Sequence, residues 1–170
     1  QRCGLDALGQ FDEIVDVRGA LDRMRLVKDA HELALMRRAG AISSEAHRRA
    51  MARARPGWHE YEVEAELAHE FLRQGAQAVA YPSIVASGPN ACVLHYRDND
   101  RRMADGDLIL IDAGCEFRGY ASDITRTFPV DGRFTPAQKA VYEVVLAAQS
   151  ACLDAVRPGV AFCRDRGAIR

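Results

Sequence analysis

Two aspartates eleven residues apart, Asp112 and Asp123, lie in the stretch LIDAGCEFRGYASDITRTFP, whose other residues are mostly apolar, β-branched or turn-forming. Such a stretch is typical of a buried β-hairpin. A carboxylate that leaves water is costly unless it is paired or bound to a metal ion. We therefore expect the two aspartates to hold a cation. The alternative is that one of them caps a turn or lies solvated on an exposed sheet face, and spacing alone leaves this open.

Two hairpin registers with a two-residue loop fit this stretch. A loop at Phe117–Arg118 places Asp112 directly opposite Asp123, whereas a loop at Arg118–Gly119 places Asp112 opposite Thr125, with Asp123 one diagonal step away. Both registers put the carboxylates on one face, because strand side chains alternate with period two. A pair of divalent ions about 3.5 to 4 Å apart would offset the repulsion between them.

Other residues near the aspartates have predicted roles of their own. The apolar run Leu108–Ile111 predicts a strand buried on both faces, and Cys115 alternates away from the aspartates, so we expect a packed thiol. His95, in CVLHY, is expected to end a strand near the same polar positions, as a proton donor or substrate contact, or as a hydrogen-bonded structural residue. The SGPN segment at 87–90 is interpreted as a turn. The remaining histidines, expected to be surface or cap residues, are His31, His47, His59 and His69.

The elements that must position these side chains follow from periodicity. A long amphipathic helix is predicted from Asp29, which forms a capping box with Glu32, to Pro56-Gly57, with Leu33, Met36, Ala39, Ile42, Ala46 and Ala50 on its buried face. A second helix is predicted from about 60 to 74, with Val63, Leu67 and Phe71 on its buried face. Short β-branched segments then predict one mostly antiparallel sheet. A third helix is predicted after Thr135, the expected N-cap.

Composition excludes several classes of protein. The 170 residues carry 23 Lys and Arg against 24 Asp and Glu, a net charge of −1, and no basic stripe is interleaved with aromatics, so nucleic acid is not an expected partner. No apolar run reaches the roughly 20 residues that span a bilayer, so no membrane association is expected. The five cysteines form no C-x-x-C pair. We expect reduced thiols and a cytoplasmic location.

The runs SGPNACVLHY and GDLILIDAGCEFRGYASDITRTFPVDGRFTPAQKAVYEVVL resemble the catalytic domain of Xaa-Pro aminopeptidases (aminopeptidase P), pita-bread metallopeptidases. The resemblance implies an α+β fold, the first half of a pita-bread catalytic domain, with helices packed on a mostly antiparallel sheet. It also implies two divalent metal ions, usually Mn²⁺, that activate a hydroxide to attack the bond before proline in peptide substrates. On this pattern Asp112 resembles the ligand of one metal, Asp123 the ligand that bridges both, and His95 a histidine that contacts substrate.

The resemblance also implies ligands that this sequence lacks. The family uses one further histidine and two glutamates C-terminal of the bridging aspartate, whereas no histidine follows His95 and only Glu143 follows Asp123 among glutamates. We therefore expect the 170-residue chain alone to be inactive and to be incomplete at both ends. Residues 1–27 are assigned to a linker or tail of an absent N-terminal domain, 28–160 to the catalytic half-domain, and 161–170 to a truncated or aberrant tail.

Two alternatives stay open at this point. Prolidases, which cut Xaa-Pro dipeptides, share the LHY, DAG and SDIT elements, although CEFRGYASDITRTFP and GRFTPAQ are nearer to aminopeptidase P. Methionine aminopeptidases have a different hairpin between their aspartates. A non-catalytic pita-bread binding module is the second alternative, and the presence of both aspartates argues against it. A homo-oligomer is expected as one possibility for the full-length protein.

Overall fold

The structure, a computed structural model, describes residues 15–160. Its helices are α1 (Arg18–Leu26), α2 (Ala30–Arg53), α3 (Glu60–Arg73) and α4 (Pro136–Ala155). Its strands are β1 (Ala78–Val79), β2 (Ile84–Ser87), β3 (Leu108–Ala113), β4 (Cys115–Phe117), β5 (Tyr120–Ala121) and β6 (Ile124–Pro129). A short 3₁₀ helix, Gly88–Cys92, follows β2. None of the helices in this part of the chain is both long and apolar enough to cross a membrane.

Helices α2 and α3 begin and end where local signals place them. The side chain of Asp29 accepts a hydrogen bond from the backbone N–H of Glu32, and the Glu32 carboxylate accepts one from Asp29, which confirms the capping box. After α3, Gly75 adopts a φ of +88°, a left-handed conformation that glycine adopts at little cost at the end of a helix. The local sequence therefore determines both helix boundaries.

The buried face of α2 is shorter than the sequence pattern predicts. Ala39, Ile42, Ala46 and Ala50 are fully buried, whereas Leu33 and Met36 each leave 38% of their surface in solvent. The partners of α2, namely α3 and the hairpin strands, cover only its later turns. On α3 the predicted stripe of Val63, Leu67 and Phe71 is buried throughout. The core thus lies between the two helices and the strands.

The strands form two antiparallel three-stranded sheets, whereas the sequence pattern predicts one. The first has the order β1-β4-β5 and the second the order β2-β3-β6. The segment CVLHY, predicted as a strand, instead contains the end of the 3₁₀ helix and a turn, so that prediction was wrong. The physical reason is that its backbone is anchored by side chains instead of by a neighbouring strand, as described below.

The stretch that contains the two aspartates is a long hairpin shared by both sheets. Asp112 pairs with Thr125 in the β3–β6 ladder, and Phe117 pairs with Tyr120 at the far end. The loop is Arg118–Gly119, with φ of +51° and +83°, as a tight hairpin turn requires. This confirms the second of the two registers considered.

Strand β3 is buried on one face only. Ile109, Ile111 and Ala113 are inaccessible, whereas Leu108, Leu110 and Asp112 are half-buried. The prediction of burial on both faces was therefore wrong, because the helices cover one side of this antiparallel sheet in the described residues and the other side lines a cleft. Asp123 is exposed, so the premise of two buried carboxylates holds only in part.

Two helices lie outside the core. Helix α1 falls within residues 1–27, where a linker or tail of an N-terminal domain is predicted, and none of its side chains is buried. Helix α4 starts at the predicted Thr135 N-cap, whose hydroxyl accepts from the Gln138 N–H, yet it buries no residue among those described. The domain boundaries stay predictions, and residues 1–14 and the proposed tail at 161–170 lie outside the described residues.

Candidate metal and substrate site

The two aspartates are brought together at a break in the hairpin. The break is at Gly114, where a Cβ atom would lie 1.7 Å from the backbone oxygen of Ser122, so only glycine lets the strands approach this closely. Asp112 precedes this glycine on one strand and Asp123 follows Ser122 on the other. The hairpin therefore presents both carboxylates on one side, at the point where β3 passes into β4.

A single phenol joins the two carboxylates. The Tyr81 hydroxyl lies 2.6 Å from Oδ1 of Asp112 and 3.1 Å from Oδ1 of Asp123, and it carries one proton to donate. Burial, followed by the hydrogen bond to Asp112, raises the pKa of Tyr81 above its usual range, so the hydroxyl stays a donor. No pattern in the sequence indicates Tyr81, because a tyrosine between β1 and β2 carries no signal of a contact with residues 31 and 42 positions further along the chain.

Beside Asp112 there is a cleft of about 270 Å³. Ile84, Ala86 and Leu110 form an apolar wall, while His95, Asp112 and Thr125 supply polar groups. His95 is exposed and lies in a turn with a φ of +55°, not at the end of a strand as predicted. His95 nevertheless lies near the polar positions of the sheet, as expected, because it lines the same cleft as Asp112. A few polar groups on an apolar wall are typical of ligand sites.

Helix α2 binds the hairpin at the Gly114 break through hydrogen bonds. The Ser43 hydroxyl accepts from the N–H of Cys115 at 3.0 Å and lies 2.7 Å from the Ser122 hydroxyl, so one serine ties both hairpin strands to the helix. Cys115 is fully buried, and its thiol lies 3.5 Å from the Ala39 carbonyl oxygen. The prediction of a packed thiol on the face opposite to the aspartates is therefore confirmed.

One histidine of α2 contradicts its predicted surface position. His47 is 3% exposed, and its Nε2 lies 3.1 Å from the carbonyl oxygen of Ala113, the residue after Asp112. Its Nδ1 has no hydrogen-bond partner within residues 15–160. Burial lowers the pKa of His47, which favours the neutral imidazole. The surface prediction failed because His47 follows Ala46 on the buried side of α2. His31 and His69 are exposed, and His59 is the N-cap residue of α3, as predicted.

A second cavity, of about 430 Å³, is larger but lies away from the aspartate pair. It is formed by the end of α2 and the segment before α4, and its charged lining residues are Arg55 and Asp131. One carboxylate beside a guanidinium does not provide the acidic donor set of a metal site. We therefore assign the chemistry to the cleft beside Asp112, despite its smaller volume.

The donors near the cleft suit a hard divalent cation in type but are few in number. Carboxylate oxygens are the ligands that such cations prefer, and Asp112 and Asp123 offer two of these groups within reach of one hydroxyl. Across residues 15–160, however, no three His, Cys, Asp or Glu side chains converge in a group that could hold a metal ion. The described residues therefore fit as part of a metal site.

Comparisons with known proteins agree with this arrangement. The chain is 50% identical over 156 residues to the Xaa-Pro aminopeptidase of Escherichia coli strain K12, which covers 92% of this chain and 35% of the relative. A solved structure described as proline aminopeptidase P II from Yersinia pestis superimposes with a TM-score of 0.84 at 59% identity, over 85% of this chain and 33% of the other. Zn-substituted E. coli aminopeptidase P in complex with product superimposes equally well, with a TM-score of 0.84 at 53% identity over the same shares.

These similarities confirm the fold class, which is α+β and corresponds to the first part of a pita-bread catalytic domain. The chain spans about a third of the length of the relatives that it matches. The family model of metallopeptidase family M24 matches residues 34–170, well over half of the sequence. The chain therefore belongs to metallopeptidase family M24.

Proposed function

We propose that the protein containing this chain is a di-metal Xaa-Pro aminopeptidase, which removes the N-terminal residue from peptides with proline in second position. The observation that carries the proposal is the pair Asp112 and Asp123, joined by one tyrosine hydroxyl beside a cleft that His95 also lines. Family membership and the names of the relatives favour this activity over that of a prolidase.

Each residue of the pair has a proposed role. Asp112 would bind one metal ion and Asp123 would bridge two, while His95 would contact the peptide at the reacting carbonyl. When bound, divalent ions lower the pKa of water and stabilise charge that develops on the carbonyl oxygen. The apolar wall of Ile84, Ala86 and Leu110 would exclude water from the substrate side of the cleft.

Two carboxylates are too few for a di-metal site. The family resemblance assigns the other ligands to a histidine and two glutamates later in the chain, and no histidine follows His95 in these 170 residues. We therefore propose that the activity belongs to the full-length natural protein that contains this chain, and that the 170 residues alone are inactive.

The finer properties are proposals of the same kind. Mn²⁺ is the proposed metal on the family resemblance, although the Zn-substituted relative contains another ion. A cytoplasmic location is supported by the free thiols of Cys92, Cys115 and Cys152. The partners proposed are proline-containing peptides, with no nucleic acid and no membrane, and a homo-oligomer stays a prediction.

The test uses the full-length natural protein, stripped of metal and reloaded with Mn²⁺, Zn²⁺ or Mg²⁺. We expect cleavage of an Xaa-Pro-Xaa tripeptide, none of the matched Xaa-Ala-Xaa tripeptide, and loss of cleavage in Asp112→Asn and Asp123→Asn. Asp105→Asn, an exposed aspartate of the preceding loop, is the matched control and should cleave normally.

Other results would point to the alternatives. Cleavage restricted to Xaa-Pro dipeptides would indicate a prolidase. Metal binding without cleavage of any peptide, or no binding of metal at all, would indicate a non-catalytic module and contradict the proposal.

A further inference from the structure

The loop that carries His95 is built around a carboxylate that the site itself does not use. Glu60 is the first residue of α3 and is fully buried. A glutamate at this position normally extends into water and stabilises the helix N-terminus through its charge. Here the side chain points inward and binds the segment between β2 and β3 instead.

Five groups donate hydrogen bonds to this carboxylate. Oε1 accepts from the backbone N–H of Ser87 at 2.6 Å, from the Ser87 hydroxyl at 2.7 Å and from the Asn90 amide at 3.3 Å. Oε2 accepts from the Tyr96 hydroxyl at 2.8 Å and from the backbone N–H of Arg101 at 3.0 Å. This number of donors compensates for the cost of burying the charge.

The donors are placed along the whole loop between β2 and β3. Ser87 ends β2, Asn90 lies in the 3₁₀ helix, and Arg101 lies in the later part of the segment before β3, so the carboxylate joins the two ends of the turn that carries His95. Tyr96 is the residue directly after His95, and it is 8% exposed. Burial and the hydrogen bond to Glu60 raise the pKa of Tyr96 to about 12, which keeps its hydroxyl a donor.

His95 itself lies in a strained backbone conformation. Its backbone has a φ of +55°, a conformation that costs a non-glycine residue energy and persists only when the surroundings impose it. The neighbouring residue Tyr96 supplies that constraint through Glu60. On the other side of the loop, Asn99 binds Ser83 and Val85 through its side chain and so ties the loop to β2, the strand beside β3.

We propose that Glu60 is a positioning residue, which acts through Tyr96 to hold His95 over the Asp112 end of the cleft. The proposal rests on the peptidase function proposed above, because the position of His95 affects the rate of peptide cleavage. Within residues 15–160, none of the hydrogen bonds of the Glu60 carboxylate goes to Asp112 or Asp123.

The test is a double-mutant cycle between Tyr96→Phe and His95→Ala in the full-length, metal-loaded protein. Tyr96→Phe removes one hydrogen bond to a charged group, so kcat for an Xaa-Pro-Xaa peptide should fall about tenfold with little change in KM. In the His95→Ala background the same change should cost less than about twofold, because the residue that Tyr96 positions is gone. Equal losses in both backgrounds would overturn the proposal.

A second arm needs no activity. Amide hydrogen exchange of residues 93–98 should speed up at least about tenfold in Tyr96→Phe and in Glu60→Gln. The matched controls are Tyr120→Phe, which breaks another tyrosine–glutamate bond, to Glu32, and Glu70→Gln, which alters another buried glutamate of α3. Neither control should change exchange in 93–98.

The two arms separate the failure of this proposal from the failure of the peptidase assignment. Unchanged exchange at 93–98 in both Tyr96→Phe and Glu60→Gln would overturn the positioning role, whatever the enzyme does. If the unmodified protein cleaves no peptide, the proposed function fails, and with it the catalytic meaning of His95, even where the exchange arm shows that Glu60 holds the loop.

Discussion

Two groups of acidic side chains in this molecule have opposite surroundings. Glu60 is fully buried and accepts hydrogen bonds from five groups, two of them backbone N–H groups. Asp112 and Asp123 are more accessible, yet the hydrogen bonds that join them to the described chain come from one hydroxyl, that of Tyr81. The more deeply buried carboxylate is thus the better satisfied one.

The difference indicates what each group is for. A carboxylate with a full set of donors has no further need of a ligand and stabilises the local structure. Two carboxylates that share one proton donor keep most of their oxygen lone pairs free, and their like charges repel. That state is costly for folding and suits the binding of cations. Changes in charge at the two groups should therefore have different consequences.

The largest effect is expected for Asp112→Asn in the full-length protein. Loss of one metal ligand should reduce peptide cleavage at least about 1000-fold, because metal ions contribute several kcal/mol to the stabilisation of the transition state. The melting temperature of the metal-free protein should stay the same or rise, since repulsion with Asp123 is relieved. A peptide-cleavage assay measures the loss of activity, and scanning calorimetry of the metal-free protein measures the melting temperature. A lower melting temperature of metal-free Asp112→Asn than of the unmodified metal-free protein would contradict the comparison.

At the other group, Glu60→Gln should destabilise the fold. The amide presents N–H groups to the Arg101 N–H, so donors are left without an acceptor, at a cost of about 2 to 4 kcal/mol in the free energy of unfolding. Glu70→Gln is the matched control and should cost less, because the partners of Glu70 are the exposed Arg73 and the half-buried Gln74, which can bind water instead. Denaturant unfolding compares the two; equal losses would show that the number of donors is not what matters.

Tyr81→Phe tests the one side-chain donor that residues 15–160 supply to the aspartate pair. Groups that orient metal ligands typically change metal affinity 10- to 100-fold, so we expect about tenfold weaker binding of Mn²⁺ and a smaller loss of activity than in Asp112→Asn. Titration of the metal-stripped full-length protein measures the affinity, with Tyr120→Phe as control. Unchanged affinity would mean that Tyr81 does not orient the carboxylates.

The smallest effect concerns His47, which supports the strand that carries Asp112. Burial lowers the pKa of its imidazole in the folded protein, so as the pH falls below the usual value of about 6.5 the unfolded chain takes up a proton first. The free energy of unfolding should therefore keep its full value above that pH and decrease below it. His47→Gln should make the curve flatter between pH 7 and pH 5, whereas the exposed His31→Gln should leave its slope unchanged.

Helices α2 and α4 show how far local sequence predicts this fold. Both begin at an N-cap that the sequence predicted, Asp29 and Thr135, and the structure adds a capping box at Thr135 to the one predicted at Asp29. Helix α2 buries a stripe against α3 and the hairpin, whereas α4 leaves Val141 67% and Val144 70% exposed. Helix ends depend on hydrogen bonds within a few residues, but burial depends on what lies opposite, and periodicity does not state that.

The site divides in the same way. Strand alternation was enough to put Asp112 and Asp123 on one face and Cys115 on the other, and the choice between two registers was settled by the turn at Arg118–Gly119. Tyr81, Glu60 and His47 were missed or misplaced. Each acts on residues at least 27 positions away, through contacts that leave no spacing pattern in one sequence.

The sequence by itself determined where α2, α3 and α4 begin, the hairpin and the family, because these depend on local hydrogen bonding, on period-two alternation and on a run of residues long enough to be specific. Only the tertiary structure decided that His95 lies in a turn held through Tyr96, that one face of β3 stays open, and that Glu60 is buried. The physical reason is that buried polar groups must find partners wherever the folded chain supplies them, and the sequence does not show which distant segments will meet.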